Sequence, residues 1–240
     1  MPSTQELLCD NGIILVQPPS TQFRPPGTGS PLSIVPARTA VVIVDVQRFF
    51  VDTPPFAAMQ QIVPRIACLL PFARAAGMTV VHLKTEFRPN MEDAGRPGSR
   101  TRQMMNGLGG GGAGENPLVH GRQTADLVPE LSPEPRDVVV TKTRFSGFWG
   151  TTLNEVLRAR NIESLIFTGG TTTVCVESTM RDAMFLEYNS LVLSDCTVDM
   201  SQELQDSALA RIELFFGLVC SSEELISALQ VVKGGGVAAR

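Results

Sequence analysis

The chain has 240 residues, of which 43% are hydrophobic and 18% are charged, and its formal net charge is −4. This composition is typical of a globular protein with a large core and excludes wholesale disorder. The mild negative charge, and the lack of a basic cluster interleaved with aromatic residues, argue against nucleic acid or an anionic membrane as a partner. The longest apolar stretches, such as residues 40–44, have the length of a strand and are far too short to span a bilayer.

The composition divides the chain into three parts. Residues 1–38 are rich in Pro, Ser, Thr and Gly, so we interpret them as an irregular N-terminal arm with room for a short strand at residues 13–16. Residues 39–232 are predicted to form the folded domain, and residues 233–240, which contain three consecutive glycines, a flexible tail. No basic segment followed by an apolar run opens the sequence, so no signal peptide is expected, and the predicted location is the cytoplasm.

Strands and helices alternate along the domain. Continuous apolar runs predict buried strands at residues 40–45, 78–83, 137–141, 164–168, 190–194 and 217–220. Apolar residues at helical spacing predict helices at residues 62–73 with a cap at Gly77, and at residues 151–160, 174–188, 202–216 and 223–231. This order predicts an α/β fold, a three-layer doubly wound sheet of about six mainly parallel strands with helices on both faces.

One segment of the domain does not follow the alternation. Residues 84–125 separate the second predicted strand from the third and include a glycine-rich run at residues 107–114. Such a long connection is uncommon unless it has a function of its own, and we expect it to form a lid or an oligomer contact.

Three reactive side chains follow predicted strands. Asp45 closes the first strand, Lys142 directly follows the third, and Cys175 follows the fourth after a short Gly- and Thr-rich loop. The carboxyl ends of parallel strands meet at one edge of a sheet, which is where the active sites of such folds lie. We therefore expect the three side chains to converge there.

Cys175 is also predicted to stand at the start of a helix. The helix dipole and a nearby Lys142 would favour the thiolate, and Asp45 could shuttle the proton. Each residue also has an ordinary explanation, since a cysteine can be a small buried hydrophobe, an aspartate a helix cap and a lysine a solvated surface group. Spacing alone therefore suggests a cysteine site without establishing it.

The wording of three segments resembles the isochorismatase-like cysteine hydrolases. Residues 40–50 (AVVIVDVQRFF) resemble the family's opening strand, which ends in Asp-x-Gln, and residues 140–148 (VTKTRFSGF) its lysine strand. Residues 168–183 (TGGTTTVCVESTMRDA) resemble the family's nucleophile loop and helix. The motifs occur in the family's order over residues 40–228, which implies the Rossmann-like version of the predicted fold. The wording is most similar to the amidohydrolase branch that acts on ureidoacrylate and carbamoyl groups.

The resemblance implies a catalytic triad and an oxyanion site. Asp45 would be the acid and base, Lys142 the charge partner and Cys175 the nucleophile that forms a covalent acyl intermediate from a small amide, carbamoyl or ureido substrate. The family commonly has a cis peptide at the position of Gly170 and Thr171, and the oxyanion donors would be the amides of Thr171 and Cys175. The substrate-binding candidates are Gln47, Phe50, Phe145, Phe148, Trp149 and Thr172, and for the four aromatic residues ordinary core packing is an equal alternative.

The last expectations from the sequence concern metal ions, alternative functions and the number of subunits. Nicotinamidases of this family hold a metal through several histidines, whereas this chain has only His82 and His120, so no metal and no cofactor are expected. His82 is predicted either to line the pocket or simply to end a strand. Two other functions stay open, a vinyl-ether hydrolase of the isochorismatase type, which does not need the cysteine, and a non-catalytic relative. The resemblance also implies a homodimer or homotetramer.

Overall fold

The computed structural model describes residues 7–18, 30–108 and 116–234. Nine strands occur in these residues: β1 Leu7–Asp10, β2 Ile13–Val16, β3 Leu32–Ile34, β4 Thr39–Val44, β5 Thr79–Thr85, β6 Val138–Lys142, β7 Ser164–Gly170, β8 Asn189–Val198 and β9 Leu218–Cys220. The α-helices of the same ranges are α1 Arg48–Asp52, α2 Val63–Ala75, α3 Arg100–Gly107, α4 Leu153–Ala159, α5 Glu177–Phe185, α6 Gln202–Arg211 and α7 Ser222–Gly234.

Six strands form the central sheet, in the order β6-β5-β4-β7-β8-β9, and every neighbouring pair is parallel. The two central strands, β4 and β7, are buried along their whole length, as their continuous apolar sequences predict. The α/β prediction of a sheet with about six strands, covered by helices on both faces, is confirmed.

Alternating side chains of the sheet build two separate cores. Val41 and Ile43 of β4 point to one face, where they join side chains of α2 and α7, whereas Val42 and Val44 point to the other, where they join those of α4 and α5. Successive residues of a strand face opposite sides, so one apolar strand supplies both layers. The paired cores hold the carboxyl ends of the strands in fixed positions.

The N-terminal segment differs from the irregular arm that its composition suggests. Strands β1, β2 and β3 form an antiparallel sheet whose side chains Ile14, Val16 and Ile34 are fully buried. Asn11 and Gly12 connect β1 to β2 with φ angles of 48° and 80°. These left-handed values are those of the tight hairpin turns that favour Asn-Gly. Residues 1–6 and 19–29 of the arm lie outside the described residues.

The long segment between β5 and β6 contains α3 and several short turns. Ser99 caps α3 by accepting a hydrogen bond from the amide of Arg102 at 3.2 Å. Most of the predicted glycine run, residues 109–115, lies outside the described residues, as do residues 235–240 of the predicted tail. In the described ranges no helix combines the length and the apolar composition that crossing a membrane requires.

His82 lies inside β5 and not at its end, with its side chain fully buried beneath α2. Its Nε2 atom lies 3.6 Å from Oδ2 of Asp137, which also pairs with Arg74 of α2. In the described part of the chain neither ring nitrogen has a hydrogen-bond partner. Burial lowers the pKa of His82, and the charge of Asp137 opposes this shift only in part.

The lowered pKa of His82 predicts a pH-dependent stability. As the pH falls below the unfolded value of about 6.5, the unfolded chain binds a proton that the folded chain still rejects, so stability is lost by up to about 1.4 kcal/mol per pH unit. In His82→Leu the free energy of unfolding, measured by urea denaturation between pH 8 and pH 5, is expected to fall less than in the parent. His120→Gln, at the exposed histidine, is the control. Identical pH profiles for the parent and His82→Leu would contradict the prediction.

Candidate active site

The carboxyl ends of β4, β6 and β7 bring Asp45, Lys142 and Cys175 together. The Nζ atom of Lys142 lies 2.7 Å from Oδ2 of Asp45 and 3.6 Å from Sγ of Cys175. Asp45 and Lys142 are each only 1% exposed, so their charges are buried against each other. The arrangement places a cation between a carboxylate and a sulfur.

Asp45 is held in an uncommon backbone conformation. Its φ angle is 53°, in the left-handed region that non-glycine residues rarely adopt. The amide of Asp45 donates to the carbonyl of Leu83 on β5, and its own carbonyl accepts from the amide of Gln47, both at 2.9 Å. Such strain persists only where neighbouring contacts fix it, and it is typical of functional positions.

Thr85 links the two charged residues. Its hydroxyl donates to Oδ1 of Asp45 at 2.8 Å and accepts from Nζ of Lys142 at 2.7 Å. Lys142 also donates to the carbonyl of Arg144 at 3.2 Å. Because both oxygens of the Asp45 carboxylate have a partner, its orientation towards the site is fixed.

Cys175 lies on a π-helical turn, Thr172–Val176, between β7 and α5. The peptide bond between Gly170 and Thr171, the bond that the family resemblance designates, is cis. Gly169 has a φ angle of 98°, and a Cβ at this position would overlap the carbonyl oxygen of Val44. Only glycine therefore allows β7 to approach β4 this closely. The turn Thr172–Val176 that follows is called the nucleophile turn below.

The nucleophile turn is held by hydrogen bonds to two residues that follow β8 in the chain, Asp199 and Gln205 of α6. The amide of Thr173 donates to the Asp199 carboxylate at 2.6 Å, and the hydroxyl of Thr172 donates to Oε1 of Gln205 at 2.6 Å. Glu177 begins α5 directly after the turn, so the turn is tied to a regular helix at one end and to the sheet at the other. These contacts fix the position of the sulfur.

The electrostatics of the site differ from the sequence-based expectation. Burial raises the pKa of the Cys175 thiol above its usual value, Lys142 lowers it, Asp45 raises it, and the net direction is upward. Burial would lower the pKa of Lys142, but the charges and hydrogen bonds of Asp45 and Cys175 together outweigh this effect and raise it. The direction of the Cys175 shift is opposite to the one that the helix start and Lys142 alone predict, because burial outweighs the charge of Lys142.

A cavity of about 220 Å³ opens onto Cys175. Two of the substrate-binding candidates, Phe50 and Phe145, line it together with Gly170 and Thr171. Most of the remaining lining side chains, which the sequence reasoning missed, are apolar and include Phe56, Met104, Met105, Leu108, Val174 and Met200.

Four of the candidates do not line the cavity. Gln47 is fully buried, and its side chain bonds only to backbone: Nε2 donates to the carbonyls of Thr85 and Ala125, and Oε1 accepts from the amide of Thr85. Phe148 stacks on Tyr188 with ring centroids 5.8 Å apart. Trp149 is 68% exposed at the surface, and Thr172 is bound to Gln205 as described above. None of these four side chains therefore lies on the wall of the cavity beside Cys175.

A domain model of the isochorismatase family matches residues 39–224 of this chain. The match covers well over half of the sequence and includes Asp45, Lys142 and Cys175. The chain belongs to the isochorismatase family, as its motifs predict.

Two relatives and one solved structure show which members of the family this chain is similar to. The chain is 38% identical over 219 residues to the ureidoacrylate amidohydrolase RutB of Methylobacterium radiotolerans, covering 86% of this chain and 85% of the relative. It is 39% identical over 211 residues to the protein of the same name from Stutzerimonas stutzeri, covering 82% and 84%. A crystal structure of a cysteine hydrolase from Pseudomonas syringae pv. phaseolicola is similar with a TM-score of 0.75 at 32% identity, covering 83% of this chain and 95% of that one.

The buried amide of Gln47 predicts a structural role that substitution can measure. Gln47→Leu keeps a similar size but leaves an amide and two carbonyls without their partner, each costing about 1–3 kcal/mol when it stays buried. The free energy of unfolding in urea is expected to fall by at least about 2 kcal/mol. Gln60→Leu, which removes one hydrogen bond to the carbonyl of Val51 near the surface, is the control and should cost less. A loss in Gln47→Leu no larger than in the control would refute this role.

Proposed function

We propose that the protein is a cysteine hydrolase that cleaves the C–N bond of a small amide, carbamoyl or ureido substrate. The observation that carries the proposal is the position of the Lys142 ammonium, 2.7 Å from the Asp45 carboxylate and 3.6 Å from the Cys175 sulfur. Membership of the isochorismatase family and the names of the similar proteins support the same reaction. The proposed triad is Asp45, Lys142 and Cys175.

The first half of the reaction forms an acyl-enzyme. Asp45 takes the proton of the Cys175 thiol as the sulfur attacks the substrate carbonyl, and a C–S bond forms. The carbonyl oxygen becomes an oxyanion, for which the amides of Thr171 and Cys175 are the proposed donors. Asp45 then gives its proton to the substrate nitrogen, the C–N bond breaks, and ammonia or a small amine leaves a thioester on Cys175.

The second half releases the acid. Asp45 deprotonates a water molecule that attacks the thioester carbonyl, the C–S bond breaks, and the proton returns to the sulfur. Lys142 compensates the negative charge that moves between sulfur and carboxylate in both halves. The charge of Asp45 raises the pKa of Lys142, which favours its ammonium form in the resting site.

The upward shift of the Cys175 pKa fits this scheme. It favours the thiol over the thiolate, so a base that takes the proton as the C–S bond forms assists the attack. The Asp45 carboxylate, oriented by Thr85 and Lys142, is the base available for that transfer.

Location and assembly complete the proposal. We propose a cytoplasmic homodimer or homotetramer. All five cysteines are free thiols, which is typical of a reducing compartment. Exposed aromatic side chains, among them Trp149, Phe185 and Phe215, support an association of subunits. Size-exclusion chromatography coupled to light scattering measures the number of subunits.

Removal of the nucleophile tests the mechanism. Cys175→Ala is expected to lower kcat by roughly 10³-fold or more on any amide or urea that the parent hydrolyses, because no acyl-enzyme can form. Mass spectrometry of the quenched parent should show an acyl adduct on Cys175. Cys68→Ser, at an exposed cysteine, is the control and should keep full turnover. Undiminished turnover by Cys175→Ala would exclude the covalent mechanism, and activity on isochorismate that survives it would identify a vinyl-ether hydrolase.

The Thr85 hydroxyl tests the orientation of the base. Thr85→Val keeps the shape of the side chain but removes one hydrogen bond to the Asp45 carboxylate and one from Lys142. A hydrogen bond to a charged group is worth about 1.5–3 kcal/mol, so kcat is expected to fall roughly 10- to 100-fold. Thr85→Ser, which retains the hydroxyl, should recover most of the activity. If Thr85→Val is as active as the parent, the hydroxyl does not orient the base.

A further inference from the structure

The cavity beside Cys175 has an apolar character that the proposed reaction does not require. Its lining includes three phenylalanine rings, Phe50, Phe56 and Phe145, and three side chains of α3 and its C-terminal end, Met104, Met105 and Leu108. The rings of Phe50 and Phe56 meet edge to face with centroids 5.3 Å apart, which makes one wall rigid. The methionine side chains of the lining are unbranched and adapt to the shape of a ligand.

Polar atoms of the described lining contribute very little of the surface of this cavity, which is almost entirely carbon. Asp45 is paired with Lys142. The Nη1 atom of Arg144 donates to the carbonyls of Asp93 and Thr143 at 2.8 and 2.6 Å. These two bonds use both hydrogens of Nη1, whereas Nε and Nη2 of the guanidinium have no such bond among the described residues. An anion in this cavity would lose its hydration and meet mainly carbon atoms, which is strongly unfavourable.

The reaction places the acyl group of the substrate against these carbon atoms. The nitrogen must lie near Asp45, which returns a proton to it, so the group on the other side of the carbonyl is left to contact the apolar lining. A cavity of about 150 Å³ is large enough for benzene. The volume of about 220 Å³ found here therefore accommodates a branched aliphatic or a single aromatic group in addition to the carbonyl.

From the lining we infer that the acyl part of the substrate is apolar and uncharged, as in the amide of a branched or aromatic acid. The inference rests on the proposed function and specifies its substrate class. It separates this protein from a hydrolase whose acyl group carries a carboxylate. Phe50, Phe56, Phe145 and the side chains of α3 are then the residues that determine specificity.

A pair of substrates of the same shape tests the inference. 4-Methylpentanamide and succinamate differ by an isopropyl group in place of a carboxylate. The kcat/KM of the parent is expected to be at least about 10-fold higher for 4-methylpentanamide. Calorimetric titration of the same two amides into Cys175→Ala should show the same preference in Kd. This measurement reports the binding preference of the cavity even if no turnover is detected.

A charge introduced at the rim of the cavity provides the second arm. Met104 lines the cavity and is 40% exposed, so the cation of Met104→Lys can reach both solvent and ligand. This variant is expected to shift the ratio of kcat/KM towards succinamate by at least about 10-fold. Met184→Lys is the matched control, since Met184 on α5 is 47% exposed and does not line the cavity, and it should leave the ratio unchanged.

Three results would overturn the inference. They are equal or better binding of succinamate by the parent, a ratio that Met104→Lys does not change, and hydrolysis of acetamide without binding of 4-methylpentanamide. A preference for succinamate that disappears in Arg144→Met would show that Arg144 binds a carboxylate. If Cys175→Ala binds 4-methylpentanamide preferentially but the parent hydrolyses no amide or urea, the apolar site stands and the proposed function fails.

Discussion

The buried ion pair between Asp45 and Lys142 is the interaction on which the arrangement of the site depends. Both side chains are withdrawn from water, and removal of either would leave an uncompensated charge inside the protein, at a cost of about 3–5 kcal/mol. The two residues come from strands that are not neighbours, with β5 between them. Thr85, at the end of β5, bridges the gap with its hydroxyl. The ion pair and Thr85 therefore join the ends of β4, β5 and β6, and the packing of these strands in turn fixes the ion pair.

Much of the fold and the core of the site could be predicted from the sequence because they follow from short-range patterns. The apolar runs of β4 and β7 identify central parallel strands, and the geometry of parallel sheets requires that the residues after them share one edge. Asp45, Lys142 and Cys175 satisfy this rule. The hairpin of β1 and β2 could also have been predicted, since Asn11-Gly12 is a strong turn signal. The surrounding Pro, Ser and Thr residues instead favoured the interpretation as an irregular arm.

The remaining features depend on contacts that leave no pattern in the sequence. Gln47 follows the catalytic carboxylate by two residues and looks like a substrate ligand, yet its partners are backbone groups of Thr85 and Ala125. Thr85 carries only one signal, its place at the end of a strand. The cavity walls come partly from α3, in a connection whose path is set by tertiary packing and not by periodicity. The ionisation of Cys175 depends on burial, which spacing does not reveal.

The upward shift of the Cys175 pKa has a consequence for the durability of the protein. Peroxides and disulfides attack thiolates much faster than thiols, and repeated oxidation ends in sulfinic and sulfonic acids that most cells cannot reverse. A shift towards the thiol makes the sulfur a poorer target for these oxidants. The burial that raises this pKa therefore also protects the nucleophile between turnovers.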